Sequence, residues 1–193
     1  MIVDISQEIL SGKVFSGDPV PVSRLVKSID HGDGYNLTEF SMCAHNGTHI
    51  DAPRHFISDG AAVDGLGLKP FIGECFTARR SGALTADDVI VIMEQAREND
   101  ASSRIIIAGE AIITVEAARA FSQAGISLLG VESQSVGSGD DTADVHRILL
   151  GAGVILLEGL VLTDVTEGKW FLSAAPLNIA GSDGAPCRAV LIR

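Results

Sequence analysis

The chain has 193 residues, 46% hydrophobic and 20% charged, a globular composition that excludes an intrinsically disordered protein. Its formal net charge is -11, and a surface that acidic repels phosphate backbones, so nucleic acid is not an expected partner. No apolar run is long enough to span a membrane, and no basic run suggests a membrane-surface partner. We therefore expect one globular domain over residues 1–193.

The hydrophobic pattern predicts strands in the first part of the chain and alternating strands and helices after it. Strands are predicted over residues 2–9, 35–44, 73–78, 104–108, 127–131, 154–162 and 187–192. Helices are predicted from a capping box at Thr85 to about Arg97, from an N-cap at Thr114 to Gly125, and from Asp141 or Thr142 to Leu150. The alternation after residue 104 favours a parallel or mixed sheet with helices packed on it.

The three cysteines are far apart in the sequence. Cys43, Cys75 and Cys187 form no CxxC motif, so we expect reduced thiols and no disulfide framework. The N-terminal residues lack the basic and apolar stretches of a secretory signal. These features predict a cytoplasmic protein.

The strongest functional signal is a segment rich in histidine. Three of the five histidines, His45, His49 and His55, fall within eleven residues together with Asp51. Imidazole and carboxylate are ligands that divalent ions such as zinc or manganese accept. If the segment is extended, these side chains point to one face, while Gly47 allows a turn or a close backbone approach. The segment predicts a metal site; the alternative is a surface loop that happens to contain histidines.

Two residues of the second half add to this signal. Glu158 interrupts an apolar strand whose two faces are expected to be buried, where an unpaired carboxylate would be costly. Either a metal ion or a salt bridge would explain it. His146 lies in the predicted third helix, where a histidine is by itself more typical of a helix surface or a core than of a metal site.

The chain resembles the cyclase-like metal hydrolases, a family that includes bacterial arylformamidases (kynurenine formamidases) and isatin hydrolases. The resemblance rests on His45-x-Gly47-Thr48-His49-x-Asp51-x-Pro53-x-His55, on the segment from His146 to Glu158, and on Asp4-Ile5-Ser6, Gly17-Asp18-Pro19 and Gly181-Ser182-Asp183-Gly184-Ala185-Pro186. It implies a compact α/β fold of the swivelling β/β/α type, with a mixed sheet and packed helices. It also implies a homodimer or homotetramer.

The resemblance assigns a role to each of these side chains. His45, His49 and Asp51 would bind a first metal ion, and Asp51 would bridge to a second ion completed by His146 and Glu158. His55 would be the general acid and base. One or two divalent ions are expected, zinc first and manganese as the alternative. The implied activity is hydrolysis of a C–N bond in a small amide, formamide or lactam by metal-activated water.

One position departs from the arylformamidases. These enzymes usually carry an aromatic residue, often Trp, just before Gly-Asp-Pro, whereas here Phe15 and Ser16 precede Gly17 and the only tryptophan is Trp170. Two alternatives therefore stay open. One is a family hydrolase or cyclase with a non-aromatic substrate, and the other is a non-catalytic metal- or ligand-binding protein on the same scaffold.

Overall fold

The chain folds around one large sheet and three helices, in a computed structural model that describes all of residues 1–193. The helices are α1 (Ala86–Glu98), α2 (Val115–Ala124) and α3 (Thr142–Gly151). The strands are β1 (Ile2–Asp4), β2 (Val22–Lys27), β3 (Leu37–Ser41), β4 (His49–Asp51), β5 (Ile72–Arg79), β6 (Gly82–Leu84), β7 (Arg104–Ala108), β8 (Ala111–Ile113), β9 (Leu128–Val131), β10 (Ile155–Glu158), β11 (Gly168–Ser173), β12 (Gly184–Pro186) and β13 (Val190–Ile192). The α/β class predicted from the sequence is confirmed.

The main sheet is mixed and has nine strands in the order β1-β13-β11-β5-β7-β9-β10-β4-β12. Its centre, β5-β7-β9-β10, is parallel, and the strands outside it pair antiparallel. Parallel neighbours need crossover connections, and the three helices lie in those connections. The short strand β4 is thereby held between β10 and β12.

Both faces of the central strands are buried, as the predicted apolar runs require. In β7, Ile105 and Ile107 join the core beneath the helices, whereas Ile106 faces a second apolar core on the opposite side. In β10, Leu156 belongs to the helix-side core and Leu157 to the opposite one. A strand with two buried faces has a continuous hydrophobic sequence, which is why both strands could be located from the sequence.

Helix α1 begins at the predicted capping box. The Oγ1 of Thr85 accepts from the N–H of Asp88 at 3.2 Å, and the Asp88 carboxylate accepts from the N–H of Thr85 at 2.8 Å. We expect Thr85→Ala to lower the free energy of unfolding by about 1 kcal/mol, because one N–H of the first turn loses its partner. Urea unfolding should measure this loss, with Ser58→Ala in an exposed loop as the control. Equal stabilities of Thr85→Ala and wild type would contradict the role of the cap.

Several predicted elements differ at their ends or were missed. The first strand ends at Asp4 and not at residue 9, and the last begins at Val190 and not at residue 187. Strand β10 covers only Ile155–Glu158, because Gly159 has a φ of +70° and turns the chain out of the sheet. Strands β2, β6, β8, β11 and β12 were not predicted, since most are short or interrupted by polar residues.

All three cysteines, Cys43, Cys75 and Cys187, are free thiols. None of the helices has the length and apolar character needed to cross a lipid bilayer.

Candidate metal centre

Four of the six predicted site residues meet where β4, β10 and α3 come together. Strand β4 carries His49 and Asp51, and its antiparallel pairing with β10 places Glu158 directly opposite His49. Residues opposite each other, and those two apart on one strand, share a face of the sheet. The third element, α3, brings His146 to the same place, and all four residues are buried.

Each of the two buried histidines has one ring nitrogen engaged by a backbone carbonyl. The Nδ1 of His49 donates to the Gly47 carbonyl at 3.0 Å, and the Nδ1 of His146 donates to the Thr142 carbonyl at 2.7 Å. This hydrogen bond to the carbonyl orients each ring and leaves its Nε2 directed at the carboxylates. Such a bond behind the ring is the usual support of a metal-binding histidine.

The four side chains leave a gap that suits a cation. The Nε2 of His49 lies 3.4 Å from both Asp51 Oδ1 and Glu158 Oε2, and the Nε2 of His146 lies 3.4 Å from Glu158 Oε1 and 3.6 Å from Asp51 Oδ2. These separations exceed those of strong charge-assisted hydrogen bonds. In addition, Asp51 Oδ2 is buried without any hydrogen-bond partner. Since an orphaned buried carboxylate oxygen is costly, the donor set fits a divalent metal.

A second group forms beside the first and shares Asp51. The Nδ1 of His45 lies 2.8 Å from Asp51 Oδ1, and its Nε2 lies 3.0 Å from Asp183 Oδ2. The His55 ring stacks on His45 with centroids 4.0 Å apart, and its Nδ1 is 3.1 Å from the same Asp183 oxygen. Ligand atoms of His45, Asp51 and His55 lie within 4.8 Å of one another, as do those of His49, Asp51 and Glu158.

Asp183 also belongs to the site, although the sequence pattern assigned no role to this residue. It belongs to the Gly-Ser-Asp-Gly-Ala-Pro segment that supported the family resemblance, just before β12. A carboxylate in a Gly/Pro-rich turn could have been singled out, but only the pairing of β12 with β4 brings it to the two histidines.

The extended conformation assumed for the histidine segment is wrong. Only His49–Asp51 is a strand, since the chain turns before it at Gly47, with a φ of +66°, and coils into a 3-10 turn over Pro53–His55 after it. Pro53 at the start of that turn favours the coil and removes an N–H that has no partner there. The turn, and not strand alternation, brings His55 over His45.

The charges around the cluster decide which side chains are ionised. Burial would raise the pKa of Asp51, but hydrogen bonds from His45 and His49 outweigh it and keep the pKa well below its usual range. Burial likewise lowers the pKa of His49, but Asp51 and Glu158 outweigh it and raise that pKa to about 10. For His55 burial prevails, so its pKa lies below the ordinary value and the imidazole is neutral near pH 7.

Metal binding at about pH 7.5 is expected to release about one proton from His49, because a proton and a metal ion compete for the same nitrogen and the metal-free pKa is about 10. Titration calorimetry in buffers with different enthalpies of ionisation measures the number released. His31→Gln, at an exposed histidine outside the site, should release the same number. A binding enthalpy that does not depend on the buffer would contradict this prediction.

The cluster opens into a cavity of about 420 Å³. His45, His49, His55, His146 and Glu158 form one part of its wall. The remaining wall is made of two phenylalanines, two exposed or half-exposed aspartates and small polar or aliphatic residues: Phe15, Phe56, Asp18, Asp140, Gln134, Ser135, Gly139, Thr142 and Ala143. No lysine or arginine lines it.

Known proteins resemble this chain over nearly its whole length. The model of the putative cyclase family matches residues 3–138. A kynurenine formamidase from Salinibacter ruber is 33% identical, with 98% of this chain and 96% of that protein aligned. A structure described as a predicted metal-dependent hydrolase from Bacillus stearothermophilus is 27% identical, covers 99% of this chain and 97% of its own, and superposes with a TM-score of 0.79.

One further solved structure is similar to this chain in fold. Isatin hydrolase A from Labrenzia aggregata superposes with a TM-score of 0.85 at 22% identity, over 99% of this chain and 93% of that one. The family model covers most of the chain and the curated relative is aligned almost end to end. The chain therefore belongs to the putative cyclase family of metal-dependent hydrolases.

Proposed function

We propose that this chain hydrolyses the C–N bond of a small aryl formamide, amide or lactam. One observation carries the proposal: a neutral imidazole, His55, shares a cavity with a buried set of two histidines and two carboxylates that suits a divalent metal. The kynurenine formamidase relatives support a formamide as the substrate class.

The residues divide into those that would hold the metal and one that would move protons. The ion would be held by four buried side chains: His49, Asp51, His146 and Glu158. His45 would also bind it if one of its ring nitrogens exchanged its carboxylate partner for the ion. When bound, the ion makes a water molecule more acidic and polarises the substrate carbonyl. His55 takes a proton from the water and returns it to the departing nitrogen, while Asp183 orients the ring through Nδ1.

We propose zinc as the native ion, with manganese as the alternative, because both accept mixed imidazole and carboxylate ligands. Asp51 approaches His45 and His49 through Oδ1 and His146 through Oδ2, so it could be shared between two ions, and we propose up to two ions per chain. Elemental analysis of protein loaded with each metal would give both the preferred ion and the number bound.

The cavity also limits the substrate. Phe15 and Phe56 offer aromatic walls, so Phe15 would replace the tryptophan expected before Gly17-Asp18-Pro19. Because the lining carries Asp18 and Asp140 but no cationic side chain, a substrate carboxylate would lack a partner. We therefore propose that a neutral aryl formamide is a better substrate than one bearing a carboxylate.

Hydrolysis of formanilide, 2-formamidobenzoate, N-formylkynurenine and isatin by zinc- and manganese-loaded protein tests this function. We expect metal-dependent turnover that a chelator abolishes, with a higher kcat/KM for formanilide than for 2-formamidobenzoate, which differs from it only by a carboxylate. The opposite order would contradict the charge argument. Absence of turnover with all four, in protein that has bound its metal, would favour the non-catalytic alternative.

We further propose that the chain forms a homo-oligomer through β2 and β3. These strands pair only with each other, outside the main sheet, and an isolated hairpin is marginally stable in water. Their segment nevertheless exposes eight large apolar side chains: Val20, Val22, Leu25, Val26, Ile29, Tyr35, Leu37 and Phe40. A second copy of the chain is the partner that is always present to cover them.

Ultracentrifugation tests the oligomer. Wild-type protein should sediment at a multiple of the 20.1 kDa chain, and Phe40→Glu should shift it towards the monomer, because a charge would be buried in the contact. Ile90→Glu, at an exposed apolar residue of α1, is the matched control and should leave the mass unchanged. A monomeric wild type would contradict the proposal.

We propose that residues 1–193 form one domain, since the main sheet joins strands from both ends of the chain. We also propose a cytoplasmic location, since the three free thiols suit a reducing compartment.

A further inference from the structure

The segment that follows β1 runs antiparallel to the chain that leaves β10. Ser6 forms an isolated antiparallel bridge with Leu160. The next residue of this segment, Gln7, lies beside Gly159, which directly follows the proposed metal ligand Glu158. The side chain of Gln7 can therefore reach the backbone that carries this ligand.

The amide of Gln7 joins two segments through its two polar atoms. Its Nε2 donates to the Gly159 carbonyl at 3.0 Å, and its Oε1 accepts from the N–H of Lys13 at 2.9 Å. Two glycines leave room for these atoms, because a Cβ at Gly12 would lie 2.8 Å from Oε1 and one at Gly159 would lie 3.1 Å from Nε2. A primary amide supplies both a donor and an acceptor, so neither a glutamate nor a methionine of similar size would make both bonds.

The bond to Gly159 belongs to a group of contacts that fixes two proposed metal ligands relative to each other. The Gly159 carbonyl also accepts from Thr48 Oγ1 at 2.6 Å, and that oxygen accepts from the N–H of Gln7 at 2.9 Å. Thr48 precedes His49, and Gly159 follows Glu158, the residue directly opposite His49 in the sheet. Beyond this pair Gly159, with a φ of +70°, turns the chain out of the sheet. The side chains of Gln7 and Thr48 therefore hold the strand end that carries Glu158.

The bond to Lys13 holds the beginning of a loop that lines the cavity. Phe15 and Asp18 follow Lys13 in this loop, and both belong to the cavity wall. Phe15 is 47% exposed, so packing in the core does not fix its ring. Its position depends instead on the backbone of the loop, which the Gln7 amide holds at Lys13.

We propose that Gln7 is a positioning residue that holds Glu158 in place for the metal ion and Phe15 in place for the substrate. It acts through the Gly159 carbonyl on one side and through the Lys13 N–H on the other. The part that concerns Glu158 depends only on the metal site, whereas the part that concerns Phe15 rests on the proposed function.

Gln7→Met tests the metal side of this role, because methionine keeps the length of the side chain and removes both bonds. Competition with a chromophoric chelator should show zinc affinity reduced by about tenfold, the lower end of the usual loss when a contact that supports a ligand is removed. The absorption bands of cobalt(II) bound in place of zinc should also shift, because they depend on the geometry of the ligands. Gln95→Met, the same substitution at an exposed residue of α1, is the matched control and should change neither property.

The substrate side is tested with metal-saturated protein. The KM of formanilide should rise by about fivefold in Gln7→Met, with a smaller change in kcat, because a displaced Phe15 loses the contact of one aromatic ring with the substrate. An unchanged KM would overturn the role of Gln7 in placing Phe15.

The metal measurements separate positioning from a purely structural role. A lower melting temperature of Gln7→Met with wild-type zinc affinity and cobalt spectrum, measured where the variant is folded, would overturn the role at Glu158. If Gln7→Met does not fold, Gln7→Asn takes its place, because its shorter amide cannot span both partners. If wild-type protein hydrolyses no formanilide, the proposed reaction fails, while the zinc affinity of the variant still decides the role of Gln7 at Glu158.

Discussion

Asp51→Asn is expected to abolish turnover and to weaken metal binding by at least about 100-fold. Asp51 is fully buried and lies within reach of all three histidines that surround it, namely His45, His49 and His146. It is also the one residue common to both candidate ligand groups. The amide has the shape of the carboxylate but loses its charge, so the cluster keeps its packing while its attraction for a cation falls.

Competition of the protein with a chromophoric chelator measures the loss of affinity, and elemental analysis measures the ions retained. Asp164→Asn, at an exposed aspartate with no side-chain hydrogen bond in the structure, is the matched control and should behave as wild type. If Asp51→Asn retains wild-type affinity and a full complement of metal, then the site proposed here does not hold the ion.

The ligand types could be predicted from the sequence because they form a short local pattern. His49 and Asp51 are two residues apart on one strand, and strand alternation gives them a common face. Glu158 could be suspected because a carboxylate inside an apolar run requires a partner. That His49 is the partner opposite it follows from the register of β10 against β4, which no local pattern contains.

The group formed by His45, His55 and Asp183 was harder to predict from the sequence. His55 and Asp183 belong to segments far apart in the chain, and both reach His45 through turns on either side of paired strands. The alternation of side chains every two residues along a strand does not apply to a segment that changes from strand to 3-10 turn at Pro53. The position of Asp183 depends on the pairing of β4 with β12, a strand that the sequence pattern did not identify.

The fold was predictable to the extent that burial produced a pattern. Strands β7 and β9 have two buried faces and the helices have one clear apolar stripe, and the bounds of these elements agree closely with the prediction. Strand β2 was missed because Ser23 and Arg24 interrupt its apolar residues and no face of it is buried within the chain. If the proposed oligomer forms, one face of β2 is buried against a second molecule.

His55→Ala is expected to leave metal binding unchanged and to lower kcat by about 100-fold to 10,000-fold, the usual contribution of a general acid or base. The Nδ1 of His55 is engaged by Asp183 and not by a carboxylate of the buried metal set, and the ring lines the same cavity and carries a depressed pKa. A neutral imidazole can accept a proton at pH 7, and the stacked ring of His45 with Asp183 holds it in one orientation.

The comparison with Asp51→Asn makes this prediction specific. Loss of turnover with retained metal would assign proton transfer to His55, whereas loss of both would make it a ligand of the group it forms with His45 and Asp51. His31→Ala, at the exposed histidine outside the cavity, should keep both properties. Wild-type turnover in His55→Ala would remove His55 from the mechanism and leave the buried cluster as a metal site whose base is another group.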